Sequence, residues 1–279
     1  MKTRKVVSLL WHMNCQVKQL QNMMKEFNKA VLTGLEQTKN TAPDIITETY
    51  LEHLPMIVQE YLRYVGVVGK EKVHNMRVVL GGGMRSNPGE TWMKLTSVQY
   101  NFFDNPFRVF YIKARKAGIP AIGLHIYKNE KSSFMVKLLG LFKIIDAKGE
   151  KLDQSETVTV FNDMCLLAPA TLISKNIQWE EIDPLSVLAR YTNGKITISA
   201  KLVFNEKGEL INFISNDRYE TDGKKYNNYP WLTPVKGYKE FNGFKLCSEA
   251  SADYERPNGT FSYAQFIVKE VEYNCQELK

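Results

Sequence analysis

Lys195-Ile196-Thr197-Ile198-Ser199-Ala200-Lys201-Leu202-Val203-Phe204 is the stretch that decides the fold. Ile196, Ile198, Ala200, Leu202 and Phe204 fall on one side of a period-two ribbon, and Lys195, Thr197, Ser199 and Lys201 on the other. That alternation predicts a strand with one buried face and one wet face, the habit of antiparallel sheets. Asn205-Glu206-Lys207-Gly208 then turns the chain back into Leu210–Ser215, which completes a hairpin.

The same texture spreads outward in both directions. Val73–Leu80, Trp92–Phe103, Phe107–Lys116, Ile119–Tyr127 and Ser133–Ile145 are rich in β-branched and aromatic residues, and turn-forming clusters separate them. Phe244–Cys247 and Phe261–Tyr273 continue the series, for eight or more strands. Helices are few. Pro55 opens one that Gly66 closes, with Ile57, Val58, Tyr61, Leu62 and Val65 on one face. A second is expected from Asp153 as N-cap, with Glu156 as the capping-box acid, through Phe161, Met164, Cys165 and Leu166 toward Pro169. The expected class is α+β: a strongly curved, mostly antiparallel sheet with covering helices and an N-terminal amphipathic helix.

Of the 279 residues, 44% are hydrophobic and 24% charged, which excludes disordered and fibrous classes. No stretch approaches the ~20 apolar residues of a spanning helix. Residues 1–40 hold seven Lys and Arg against two acids, which is +5 of the net +7 and leaves +2 for the other 239 residues. A body so nearly neutral argues against nucleic acid as partner. Leu10, Met13, Val17, Leu20, Met24, Phe27, Val31 and Leu35 draw one apolar stripe through the basic segment. The division expected is a basic amphipathic helical arm over 1–40 and a single β-rich domain over 41–279. The arm would pack on the body, on a second chain as an oligomer contact, or on a membrane surface. Lys2, Arg4 and Lys5 precede an apolar run of only six residues, too short for an export signal. The expected location is the cytoplasm, with peripheral contact at the inner membrane.

Chemical motifs are sparse. Cys15, Cys165, Cys247 and Cys275, and His12, His53, His74 and His125, are scattered without ligand spacing, so no metal and no cofactor is expected. Gly81-Gly82-Gly83 runs into turn and strand rather than a helix N-terminus, which makes it a bulge or wide turn and not a phosphate loop. Glu180, Glu181 and Asp183 beside Trp179 read as a solvated turn, and no G-x-S-x-G occurs. No catalytic residue is assigned.

Leu54-Pro55 with Tyr61-Leu62-Arg63-Tyr64-Val65-Gly66, Phe161-Asn162-Asp163-Met164-Cys165 with Ala168-Pro169-Ala170, and Trp179-Glu180 with Asp183 form one set of local motifs. Phe204–Leu210, Asp217-Arg218-Tyr219, Trp231 with Pro234, and Gly259-Thr260-Phe261-Ser262-Tyr263 form another. Together, over roughly residues 51–275, they resemble a bacterial family whose members carry only a domain of unknown function. Many of its members have a hydrophobic N-terminal segment where this chain has an amphipathic one. More loosely, the hairpin over 196–215 with its trailing Arg-Tyr is similar to carriers of the lipoprotein-localisation-factor type. That resemblance implies a half-open barrel with helices over the opening.

The leading functional expectation is non-catalytic binding of a lipid-like or other apolar ligand in the concave face. Trp92, Tyr111, Trp179, Tyr219 and Trp231 would supply the wall, with Arg218 as polar anchor. One alternative is an interaction or scaffold protein acting through the arm. The other is an enzyme of unrecognised type using Glu180, Asp183 or Asp217.

Overall fold

The computed structural model describes residues 22–39, 41–116, 118–221 and 224–279. The first half of the expected arm, with Leu10, Met13, Val17 and Leu20, lies outside the described residues. Its second half is helix α1, over 22–38. Six strands follow in an antiparallel meander: β1 (Asn75–Met84), β2 (Met93–Phe102), β3 (Phe107–Lys116), β4 (Ile119–Lys128), β5 (Lys131–Leu138) and β6 (Phe142–Lys148). Helix α2 (Met56–Val65) precedes them, and helix α3 (Glu150–Leu167) leads away. After a short 3-10 turn, Pro169–Ile173, come β7 (Ile177–Asp183), β8 (Ser186–Asn193), β9 (Ile196–Phe204) and β10 (Leu210–Ser215). The small strands β11 (Tyr219–Thr221), β12 (Tyr226–Asn228) and β13 (Trp231–Leu232) precede β14 (Val235–Phe241), β15 (Phe244–Arg256) and β16 (Gly259–Tyr273).

Fourteen strands form one sheet in the order β6-β5-β4-β3-β2-β1-β16-β15-β13-β10-β9-β8-β7, with β14 added on β15. Every pairing is antiparallel. The edges are β6 and β7, and α3 joins them by crossing the concave side. The half-barrel that the resemblance implies is therefore present, with α3 in its hollow.

The period-two code is legible in β9, where Ile198, Ala200, Leu202 and Phe204 are all buried. The stretch Ser133–Ile145, expected as one strand, is two. Leu139 and Gly140 take φ of 53° and 69°, and that left-handed pair folds β5 back onto β6. Gly82, within β1, has φ 144°, and a Cβ there would sit 1.9 Å from the Gln265 carbonyl oxygen. The triple glycine is thus a close strand crossing beside a register shift at Val79/Leu80, as the bulge reading expects.

Two cores lie on opposite faces of the sheet. The concave core joins α2, α3 and the 3-10 turn to β1, β8–β10, β15 and β16. The outer core lies under α1, whose Met23, Phe27, Val31 and Leu35 pack on Tyr100, Phe102, Phe107, Val109, Tyr111, Ile122 and Leu124. The apolar side of residues 22–38 is thereby spent within the chain. Gly34 sets the approach, since a Cβ there would lie 2.2 Å from the Phe102 ring.

Helix α3 carries no apolar stripe because it has no wet side. Fourteen of its 18 residues are buried, Asp153, Glu156, Asn162 and Asp163 among them. The capping-box expectation is accordingly corrected. The helix starts at Glu150, ahead of Asp153, whose carboxylate accepts from Ser132 N at 2.6 Å and Lys131 Nζ at 3.0 Å. Glu156 pairs with Arg108, not with the helix N-terminus.

Candidate functional site

The concave face carries a buried charge network where α3 crosses β2, β3 and β4. Arg108 donates from Nη1 to Glu156 at 2.7 Å, from Nε to Asp163 at 2.8 Å and from Nη2 to Gln99 at 2.8 Å. Asp163 accepts further bonds from Gln99 and Asn101. Guanidinium suits this place because its planar fork serves three acceptors at once. Burial by itself would raise both carboxyls. At Glu156 the attraction of His125, charged only in acid, and of Arg108 and Arg218 prevails and holds it below the usual range. At Asp163 burial prevails over Arg108 and Asn101, and the group is raised. Burial also pulls His125 down to about 4, against the attraction of Glu156 3.1 Å away. His125 is neutral at pH 7, and one nitrogen, Nε2, meets both Glu156 and Ser132 Oγ at 2.8 Å. A relay needs the two ring nitrogens to serve different partners, so this is not a nucleophilic triad.

The sequence-chosen residues divide between places. Arg218 and Trp231 come together, the guanidinium 4.5 Å from the Trp231 ring and flanked by Tyr254 and Tyr263. Arg218 also donates to Thr159 and to the Tyr254 hydroxyl. Trp231 is buried, bonds to Tyr263 at 3.2 Å and meets Phe213 edge-on. Tyr219 adjoins them through its backbone N–H, donated to Ser155, while its ring turns away to Tyr226. Tyr111 is on the outer face, against Phe27 of α1. Alternation along β3 gives Arg108 and Phe110 to the hollow and Tyr111 to the other side. Trp92 stands before β2 under the Arg85 guanidinium at 4.5 Å. Trp179 is in β7, half-buried against the concave core. The six residues line no common wall.

The carboxylates of the enzyme alternative do not converge on a hollow. Glu180 pairs with Arg190 at 2.9 Å. Asp183 accepts from Leu185 N and Ser186 Oγ, and Asp217 from Ser199 N. The Glu180–Asp183 stretch, expected as a solvated turn, is the end of strand β7, paired with β8. Among the described residues no group of three or more His, Cys, Asp or Glu is arranged to hold a metal.

The open space lies elsewhere. A cleft of about 790 Å³ opens at the end of the half-barrel where α3 gives way to its 3-10 turn. Val73, Phe103, Met164, Ile173 and Tyr191 line its floor, and Thr47, His53, Ser174 and Lys175 its rim. Lys72 and His74, also at the cleft, are held by Asp44 and Asp104 at 2.5 and 2.9 Å. The floor is apolar, the mouth hydrogen-bonding and close to balanced in charge. None of these residues forms a local motif. They come from five separate segments, and only the crossing of α3 assembles them.

A model of a family of unknown function, DUF6544, matches residues 44–266. No curated protein is similar to the chain in sequence. Among solved structures, a DUF1329 family protein from Desulfovibrio piger is 11% identical with a TM-score of 0.42, covering 78% of this chain and 91% of that one. A LolA superfamily protein from Nitrosomonas europaea is 8% identical with a TM-score of 0.44, covering 78% and 91%.

Proposed function

We propose that this chain, which belongs to the family of unknown function DUF6544, binds an amphiphilic small molecule without catalysis, in the cleft at the end of its half-barrel. The observation that carries the reading is the cleft itself, at about 790 Å³ inside the usual size range of ligand sites. An apolar chain would lie over Phe103, Met164, Ile173 and Tyr191, and its polar end would meet Thr47, His53 and Lys175. The ligand class expected from the sequence is retained and its place is moved. The Arg218–Trp231 cluster has its guanidinium and ring already engaged within the fold. Burial contributes ~0.8 kcal/mol per methylene, so about ten buried carbons offset the cost of association and give micromolar binding.

Titration with a fluorescent fatty-acid probe tests this. The full chain should bind with micromolar affinity, and Ser174→Trp, which fills the mouth, should weaken binding at least tenfold with an unchanged circular dichroism spectrum. Failure of the probe to bind, or binding indifferent to Ser174→Trp, overturns the cleft as the site.

A further inference from the structure

The opposite end of the sheet is basic. Residues 106–148, which are β3 to β6 and their turns, hold nine Lys and Arg against two acids, Glu130 and Asp146. Arg108, Lys128, Lys131 and Lys148 belong to the cleft end of these strands, Arg108 in the buried network and Lys131 on Asp153. Lys113, Arg115, Lys116, Lys137 and Lys143 belong to the tip end, where Lys94 of β2 joins them.

The cations are not spread evenly. Lys94 of β2 lies directly across from Arg115 of β3. One row along, Lys113 faces Ile122, Ile122 faces Lys137, and Lys137 faces Lys143. Like charges directly opposed across an antiparallel pair destabilise it. Such a conflict between local chemistry and fold marks a functional surface. An opposing layer of negative charge would resolve it. Lys143 already draws Asp146 to 2.7 Å, and Glu90 in the β1–β2 loop is the other acid at this end.

Beside the cations the tips are apolar. Phe142 is 61% exposed, Ile144 53%, Ile119 42% and Trp92 36%. Leu138, Leu139 and Leu141 are half-buried at the β5–β6 turn. Leu139 N donates to Pro120 O at 2.8 Å, which ties the β3–β4 and β5–β6 tips into one unit. Exposed Ile, Phe and Trp at hairpin ends, with Lys and Arg on the strands just above, match a headgroup layer over hydrocarbon. Nucleic acid would ask for free aromatic faces among the cations, where bases could stack; Trp92 is already stacked under Arg85, and Tyr111 beneath Lys113 is buried.

We infer that the hairpin tips of β3–β6 dock on an anionic lipid bilayer, with Phe142 and Ile144 entering the interface and Lys94, Lys113, Arg115, Lys137 and Lys143 facing the headgroups. This surface is separate from the cleft and does not depend on the ligand proposed there. Among the described residues no helix is long and apolar enough to cross a membrane.

Vesicle flotation of the full chain tests it, with phosphatidylcholine vesicles compared against vesicles containing phosphatidylglycerol. The expected result is binding to the anionic vesicles alone, reversed by high salt. At about fivefold per cation near a charged surface, Lys94→Gln with Arg115→Gln should weaken it roughly thirtyfold. Phe142→Ser with Ile144→Ser should weaken it further, with an unchanged circular dichroism spectrum. Both pairs are exposed, and fatty-acid probe binding should be retained in both. Lys18→Gln with Lys25→Gln, in the arm, should leave most vesicle binding intact. Equal binding to neutral vesicles, no vesicle binding, wild-type binding by the tip variants, or loss that follows the arm substitutions instead would each overturn the inference. Tighter binding to single-stranded RNA than to anionic vesicles would do so as well.

Discussion

Arg108→Met removes the one cation that bonds to both Glu156 and Asp163, two of the buried carboxylates of α3. The wild-type guanidinium lies 2.7 Å from Glu156 and 2.8 Å from Asp163, and all three side chains are less than a tenth exposed. Methionine fills much of the space without replacing the charge, so Asp163 loses its cation and Glu156 keeps only the attraction of Arg218 at neutral pH. Breaking a buried pair from one side costs about 3–5 kcal/mol, a large part of the ~5–15 kcal/mol that holds a domain together. At about 2 °C per kcal/mol for a chain this long, the melting temperature should fall by roughly 6–10 °C at pH 7. The deficit should narrow with acid, because carboxyls raised by burial take up protons in the folded variant before they do in the unfolded chain. Adding Glu156→Gln and Asp163→Asn to Arg108→Met should recover part of the loss. Thermal unfolding followed by circular dichroism at pH 5 and pH 7 measures all of this. A loss below about 1 kcal/mol, or one equal at the two pH values, refutes the view that this network locks α3 across the sheet.

Two further outcomes follow from the same structure. His125 is held at about 4 against ~6.5 in an unfolded chain, so the unfolded state takes the proton first. Its neutral-state contribution is complete above about pH 6.5 and declines as pH falls toward about 4, by about 3 kcal/mol in all. Denaturant titration across that window should show the decline in wild type and a flatter profile in His125→Gln. Gly34→Ala places a methyl 2.2 Å from Phe102. It should destabilise by about 1–3 kcal/mol through overpacking despite the better helix propensity of alanine. A rise in melting temperature would mean that α1 is not seated on the outer face in solution.

Legibility in the sequence tracked the number of environments an element meets. Strand β9 has one wet face and one dry face, and its alternation declared it. Helix α2 has the same simplicity, with Pro55 ahead and Gly66 behind at φ 80°. Helix α3 meets protein all round, so it shows no stripe, and Asp153 and Glu156 resembled caps when they are interior partners. Alternation also says that two faces exist without saying which one a given aromatic takes, and Tyr111 went to the outer core. The cleft could not be read at all, because Val73, Phe103, Met164 and Tyr191 meet only through the β6-to-β7 crossover. The basic tips were legible in principle: a charge count by strand rather than by domain would have found them.

Native mass spectrometry of the full chain, purified without detergent and compared with Ser174→Trp, tests the ligand cleft most directly. The account predicts a population of wild-type protein carrying a lipid-sized adduct that organic solvent extracts and that Ser174→Trp does not retain. Wild-type protein at its sequence mass alone that also takes up no added fatty acid, or an adduct held equally by Ser174→Trp, would contradict it.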